Sequence, residues 1–116
     1  MERNDALAGL AALAQESRLD IFRLLVEGGP EGLAAGDIGT RLALPGATLS
    51  FHLKELRQAG LITCRREGRS LIYAADFAAM GSLVAYLTEN CCGGRCAAPR
   101  TAAPCTPSSC SKEFAR

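Results

Sequence analysis

The hydrophobic pattern changes its period at Gly60, and this change constrains the fold more than any other feature of the 116-residue chain. Before Gly60, apolar residues recur three and four positions apart, as on amphipathic helices; after it, they form two short runs typical of strands. The predicted helices cover about residues 4–14, 17–27, 35–42 and 47–59, and Gly60 is predicted to end the last of them as a C-cap. A β-hairpin with strands 61–66 and 71–74 follows, and residues 31–34 are expected to be a connector. The fold class is therefore mainly α with a β-hairpin.

A last helix is predicted to begin at Asp76, which is a good N-cap, and to continue to about Cys91. We expect its apolar residues to face inward: Phe77, Met80, Leu83, Val84 and Leu87. After Cys92 the composition shifts to Gly, Ala, Pro, Ser and Thr, which bury too little apolar surface to fold. The sequence thus predicts one domain over residues 1–92 and a flexible tail over residues 93–116.

The order of short helix, turn, helix and hairpin predicts a winged helix-turn-helix, in which the second helix lies in the major groove of DNA. Helix 47–59 carries a stripe of Leu49, Leu53 and Leu56 toward the core, so its opposite face is open to contact. The predicted DNA-binding residues are Ala47, Thr48, Ser50, Phe51, Lys54 and Arg57 on this helix, with Arg65, Arg66 and Arg69 around the hairpin tip. Small groups at the front of the helix permit approach to bases, and the cations suit phosphates.

The charge distribution agrees with this interpretation. Residues 1–46 contain four Lys/Arg and seven Asp/Glu, whereas residues 47–75 contain five Lys/Arg and two Asp/Glu. A basic block on an acidic body is typical of nucleic-acid binding, but charge alone fits a solvated face equally well. His52, the only histidine, leans toward the buried stripe and is either a core residue or a base-reading one. Phe51 faces outward and either contacts thymine methyls or packs at the helix surface.

Five of the six cysteines crowd the last 26 residues. A disulfide framework would hold the fold itself together, so this placement favours metal or redox chemistry. Thiolates are the ligands that thiophilic ions select, and the predicted metal site is Cys91, Cys92 and Cys96, with two glycines that allow the backbone to fold back. Cys64 is expected to be a packed or idle thiol. Cys105 and Cys110 are spare ligands, a redox pair, or neither.

Three stretches of sequence resemble the ArsR/SmtB family of metal-sensing winged helix-turn-helix repressors, the arsenical-resistance type. They are SRLDIFRLL at residues 17–25, ATLSFHLKEL at residues 47–56 and AGLI at residues 59–62. The resemblance covers roughly residues 5–92. It implies a homodimer that binds a palindromic operator in double-stranded DNA and leaves it when an inducer binds.

The resemblance also suggests an inducer. Many family members carry cysteines on the helix before the recognition helix, or a histidine and acidic set for zinc on the last helix; this sequence has neither. Its Cys91, Cys92 and Cys96 resemble the subgroup that binds trivalent arsenic or antimony at the end of that helix. The expected function is a repressor of an arsenic-resistance operon that responds to arsenite or antimonite, As(III) or Sb(III), with no permanently bound cofactor.

Other functions stay open at this point. A fourth thiol from Cys105 or Cys110 would suit zinc or cadmium, and a repressor of the same fold can respond to thiol oxidation. A small arsenic-binding protein that does not bind DNA is a further alternative. An enzyme is not expected, because no nucleophile is paired with a base at a recognisable spacing. We find no secretory signal and no membrane-length apolar run, so a cytoplasmic protein with no membrane partner is expected.

Overall fold

A computed structural model describes residues 1–94. The helices are α1 (Arg3–Leu13), α2 (Glu16–Gly28), α3 (Ala35–Leu42), α4 (Gly46–Gln58) and α5 (Phe77–Leu87). The strands are β1 (Leu33–Ala34), β2 (Ile62–Glu67) and β3 (Ser70–Ala75), and a short 3-10 turn covers Cys91–Gly94. The chain divides into two compact units, Met1–Val84, called the N-terminal unit below, and the residues from Ala85 onward. Within residues 1–94, no helix is both long enough and apolar enough to cross a bilayer.

The three strands form an antiparallel sheet in the order β1-β3-β2. β1 corrects the expectation that residues 31–34 are only a connector, because Leu33 pairs with Tyr73 and Ala34 with Ile72. Two residues are too few to show a hydrophobic period, so no pattern in the sequence could have revealed this strand. The pairing holds the chain against the sheet immediately before α3 begins.

The core of the N-terminal unit lies among α2, α3, α4 and the start of β2. Its largest fully buried side chains are Ile21, Leu25, Ile38, Leu56 and Leu61. The stripe predicted on α4 is confirmed, since Leu49, Leu53 and Leu56 are all at most 5% exposed. Burying a leucine side chain contributes about 1.5–3 kcal/mol, so this stripe determines which face of α4 remains in contact with solvent.

α4 ends in a Schellman motif centred on Gly60, which adopts a left-handed conformation with φ +80°. The Gly60 N–H donates to the Arg57 carbonyl at 3.0 Å, and the Leu61 N–H donates to the Leu56 carbonyl at 3.1 Å. These bonds satisfy carbonyls that a helix end leaves without partners. The predicted role of Gly60 is therefore confirmed, and the motif directs the chain from α4 into β2.

α5 ends at Leu87, earlier than its predicted end near Cys91. Beyond Leu87 the backbone hydrogen bonds join residues three apart instead of four apart. One of them runs from the Cys91 N–H to the Thr88 carbonyl at 2.9 Å. Asn90 then adopts a left-handed conformation with φ +57°, which a right-handed helix cannot continue. The start of α5 agrees with the sequence, because Asp76 Oδ1 accepts a hydrogen bond from the helix backbone at 3.0 Å.

The expectation that every large apolar residue of α5 faces inward is partly wrong. Leu83 is buried, but Val84 is 55% exposed and Leu87 is 57% exposed. Leu83 packs beside Gly9 of α1, where an added Cβ would lie 3.7 Å from the leucine side chain. α5 is apolar around most of its circumference, so its hydrophobic pattern did not reveal which stripe packs against α1.

Gly32 gives a test of the packing between the β1 segment and β3. Its φ is +78°, and an added Cβ would lie 2.5 Å from the Tyr73 carbonyl oxygen. Gly68 at the hairpin tip also has a positive φ, +62°, but nothing lies within 4 Å of an added Cβ. We expect Gly32→Ala to lower the free energy of unfolding by about 2–4 kcal/mol, from backbone strain and overpacking together. Gly68→Ala should lower it by only about 1–2 kcal/mol, from backbone strain alone.

Urea unfolding followed by circular dichroism measures both losses. Equal losses in the two variants would contradict a close approach of β3 to Gly32.

Candidate nucleic-acid interface and cysteine pair

The turn between α3 and α4 directs the start of α4 toward solvent. Ala43 adopts a left-handed conformation with φ +54°, and the Leu44 N–H donates to the Gly39 carbonyl at 3.0 Å, which closes the end of α3. Pro45 is the extended N-cap residue of α4. Ala47 and Thr48, in the first turn of α4, are both exposed. The two helices are thus arranged as the helix-turn-helix pattern predicts.

All nine predicted DNA-binding residues lie at the protein surface. The six on α4 share its outer face, opposite the buried leucine stripe: Ala47, Thr48, Ser50, Phe51, Lys54 and Arg57. The three on the β2–β3 hairpin, called the wing below, are Arg65, Arg66 and Arg69. Phe51 is 54% exposed, so it does not belong to the core, and its contact with thymine methyls stays a prediction.

The wing arginines differ in how firmly they are held. Arg65 donates from Nε to the Glu67 carboxylate at 2.8 Å and from Nη2 to the Glu31 carbonyl at 2.8 Å. Its charge is therefore partly balanced within the protein. Arg66 and Arg69 are exposed on either side of the turn at Gly68, where their cations can approach a phosphate backbone.

A cleft between α4 and β3 adds two residues that the sequence did not indicate. Its lining consists of Ser50, Lys54, Arg57, Gln58 and Tyr73. These side chains supply two cations and three neutral polar groups, a set that suits phosphate oxygens. Gln58 has no distinguishing pattern in the sequence. Tyr73 lies in a strand, and only the tertiary fold places its side chain beside the cations of α4.

Tyr73 also lies next to Cys64. The two residues are cross-strand partners in the β2–β3 ladder, and Cys64 is half-buried. Burial, followed by the hydrogen bond with Cys64, raises the pKa of Tyr73. The phenol therefore keeps its proton at neutral pH. The expectation that Cys64 is a packed thiol agrees with this position.

His52 belongs to the core, as one of its two interpretations predicted. Its side chain is buried on α4, so the ring cannot reach base edges. Nδ1 of the ring lies 3.3 Å from Nη1 of Arg18. Burial, followed by the charge of Arg18, lowers the pKa of His52, and the nearby Glu55 acts in the opposite direction. The ring is consequently neutral at pH 7.

The cysteine pair follows α5 in the second unit. Cys91 and Cys92 are both half-buried, and their Sγ atoms lie 3.6 Å apart. Cys92 and Gly93 have φ values of +56° and +62°, so the backbone departs from a regular helix, on which adjacent side chains do not face each other. Cys96, the predicted third ligand, lies outside the described residues, as do Cys105 and Cys110. Residues 1–94 do not contain three metal-binding side chains grouped together.

Comparison with known proteins identifies the class to which this arrangement belongs. The model of a helix-turn-helix domain family matches residues 13–65, which extend from the end of α1 into β2. The transcriptional activator HlyU of Vibrio cholerae serotype O1 is 33% identical over 94 residues, which cover 79% of this chain and 84% of HlyU.

Solved structures agree. An ArsR-like transcriptional regulator from Rhodococcus sp. RHA1 superimposes with a TM-score of 0.64 at 27% identity, covering 72% of this chain and 76% of that one. The homodimeric winged helix-turn-helix DNA-binding domain of Mb0332 from Mycobacterium bovis gives a TM-score of 0.60 at 30% identity. The match covers 75% of this chain and 81% of that one. The chain is thus a DNA-binding transcriptional regulator with a winged helix-turn-helix fold, and not an enzyme. It belongs to the ArsR/SmtB family.

The cleft beside α4 gives a test of the interface. Arg57→Ala should lower the affinity for DNA about three- to tenfold and reduce the slope of log K against log salt by about 1, because one phosphate contact is lost. Arg23→Ala is the matched control, since Arg23 is exposed on α2. Fluorescence anisotropy at several salt concentrations measures both quantities. An unchanged slope for Arg57→Ala would place this cleft outside the interface.

Proposed function

We propose that this protein is an arsenic-responsive repressor that binds operator DNA of an arsenic-resistance operon. Binding of As(III) or Sb(III) to Cys91, Cys92 and Cys96 releases it from the operator. The observation that carries the proposal is the Cys91–Cys92 pair, whose sulfur atoms lie 3.6 Å apart in a regulator of the ArsR/SmtB family. Because the partner is operator DNA, the protein acts in the cytoplasm.

The spacing of the pair suits one soft ion. Two thiolates that bind one metal ion at about 2.3 Å and at a tetrahedral angle lie roughly 3.8 Å apart. The observed 3.6 Å is close to this value, so both sulfurs can bind one ion with little movement. The ligand is the thiolate, not the thiol. Binding therefore releases protons, and the affinity for the ion rises with pH.

A third thiolate completes the site in this proposal. Trivalent arsenic takes three sulfur ligands in a pyramid, with a lone pair in the fourth direction. Cys96 follows Cys92 by four residues. A segment of this length is long enough for the chain to turn back and bring a third thiolate to the pair. Gly93, with φ +62°, already has the left-handed conformation that such a turn uses.

We propose further that the protein is a homodimer formed through α1 and α5. Leu7 and Leu10 on α1 are 55% and 39% exposed, and Val84 on α5 is exposed in the same unit. Covering such apolar surface with a second copy is favourable. The homodimeric state of the Mb0332 domain supports this arrangement. Two copies of α4 can then contact the two halves of a palindrome.

Release follows from the dimer. The ion must bind the DNA-free form more tightly than the bound form. Closing three thiolates on an ion fixes the chain directly after α5, which is one of the two dimer helices in this proposal. The half-sites of a palindrome lie about one helical turn apart. A small change in the separation of the two α4 helices therefore weakens both contacts together.

Two other inducing signals, a zinc or cadmium ion and thiol oxidation, are distinguished from arsenic by the experiment below. Zinc or cadmium would require a fourth ligand, and oxidation would join thiols without any ion. An arsenic-binding protein that does not bind DNA is no longer an alternative, because the family is one of DNA-binding regulators.

Arsenite titration of the protein–DNA complex under reducing conditions tests the site. Wild type and Cys64→Ser, the matched control outside the pair, should release DNA at the same arsenite concentration. Cys91→Ser, Cys92→Ser and Cys96→Ser should each require at least about tenfold more arsenite, since each removes one of three ligands. Anisotropy of a labelled operator duplex measures release.

Release of all five proteins at the same concentration would refute the arsenic site. Release by zinc or by peroxide, but not by arsenite, would identify one of the two other inducing signals instead.

The dimer has a separate test. Leu10→Glu should shift the protein from dimer to monomer in sedimentation velocity, because a carboxylate in an apolar interface is strongly unfavourable. Leu19→Glu is the matched control, since Leu19 is 42% exposed on α2, outside the proposed interface. The first variant should also lose operator affinity. A dimer that persists in Leu10→Glu would exclude α1 from the interface.

A further inference from the structure

Arg18 joins three helices of the N-terminal unit. It lies in the first turn of α2, where its backbone N–H donates to Gln15 Oε1 at 2.9 Å. Its Nε donates to the carbonyl oxygen of Ala12, in the last turn of α1, at 2.8 Å. Its Nη1 lies 3.3 Å from Nδ1 of His52 on α4. One side chain therefore connects the end of α1 with the middle of α4.

The chemistry of the two side chains fixes the direction of the bond to α4. A guanidinium carries only donors, so Arg18 donates and Nδ1 of His52 accepts, which leaves the ring proton on Nε2. The Ala12 carbonyl is one of the last four of α1, which a helix leaves without an intrahelical partner. Arg18 thus stabilises the end of α1 and selects the neutral form of a buried ring.

His52 is placed to affect the DNA-facing side of α4. His52 is only 7% exposed, whereas the preceding residue, Phe51, lies on the outer face. The two ring centroids are 5.6 Å apart, with the planes tilted by 58°. The leucine stripe packs without a directional preference. Within residues 1–94, the side-chain hydrogen bond between α2 and α4 is the Arg18–His52 contact. Because a hydrogen bond is directional, this contact restricts the rotation of α4 about its own axis.

We infer that Arg18 is a positioning residue for DNA binding: through His52 it fixes the rotation of α4 about its axis, and operator binding requires the neutral, hydrogen-bonded form of His52. This inference rests on DNA binding by the protein and does not depend on the arsenic site.

The charges around His52 make the arrangement sensitive to acid. Burial and Arg18, on α2, lower its pKa below the ordinary value of about 6.5, while Glu55, on α4 itself, acts in the opposite direction. Because the folded pKa is depressed, the contribution of the neutral ring is complete above about pH 6.5 and is lost as the pH falls through the lower, folded pKa. Protonation removes the acceptor and places a second positive charge beside Arg18.

Arg18→Met tests the geometry, with Arg23→Met as the matched control on the same helix. The probe is a labelled duplex that the wild-type protein selects from a random-sequence pool. Arg18→Met should bind it about tenfold more weakly than Arg23→Met. Its slope of log K against log salt should equal that of wild type, because no phosphate contact is lost. Equal affinities in the two variants, or a reduced slope in Arg18→Met alone, would overturn the inference.

Two substitutions of His52 separate its acceptor from its titration. His52→Asn keeps an acceptor near the position of Nδ1 but cannot take up a proton, and its affinity should stay within about threefold of wild type. His52→Leu removes the acceptor and should lose as much affinity as Arg18→Met. Combining Arg18→Met with His52→Leu should lose no more than either change alone, because both remove the same bond. Additive losses would contradict a shared contact.

The pH profile distinguishes positioning from a merely structural role. As the pH falls below about 6.5, wild type should lose more affinity for the selected duplex than His52→Asn, because only wild type loses the neutral ring. Circular dichroism restricts the comparison to pH values at which both proteins are folded. Because every other titrating group is common to the two proteins, coinciding profiles would show that His52 does not control DNA binding.

Discussion

The burial of one side of α4 against α2 is the constraint on which the rest of the structure depends. Leu53 and Leu56 are 3% and 0% exposed, and side chains three or four residues apart on a helix share a face. Fixing that face in the core necessarily presents the opposite one, with Ser50 and Lys54, to solvent. The core does not recognise DNA, but it determines which residues are able to. The Schellman motif at Gly60 extends the same control to the wing.

The fold was predictable wherever several residues share one period. The stripe of α4 and the glycine that ends it are read from spacing and from the left-handed preference of glycine alone. β1 has only two residues and therefore no period. The packing face of α5 is decided by a neighbour, since Gly9 of α1 admits Leu83 and leaves Val84 exposed. Local sequence contains no information about such a neighbour.

The part of the candidate interface that lies on α4 was predictable from the sequence. The outward residues of α4 come from the same period as its stripe. The cleft is different, because Tyr73 reaches α4 from a strand, and Arg18 reaches His52 across 34 positions of sequence. Only tertiary structure brings these side chains together. The cysteine cluster is evident from composition alone, and the structure adds the spacing of two sulfur atoms and the left-handed backbone that brings them to one side.

The hydrogen bonds of Arg65 have a consequence for the kinetics of recognition. Its bond to the Glu31 carbonyl attaches the hairpin to the segment before β1 in the free protein, and its bond to the Glu67 carboxylate lies within the hairpin. A hairpin that is already ordered loses little conformational entropy when it meets the double helix. Encounter is then governed by diffusion and by electrostatic attraction rather than by a slow ordering step. Moving from one DNA site to the next then requires no refolding of the hairpin.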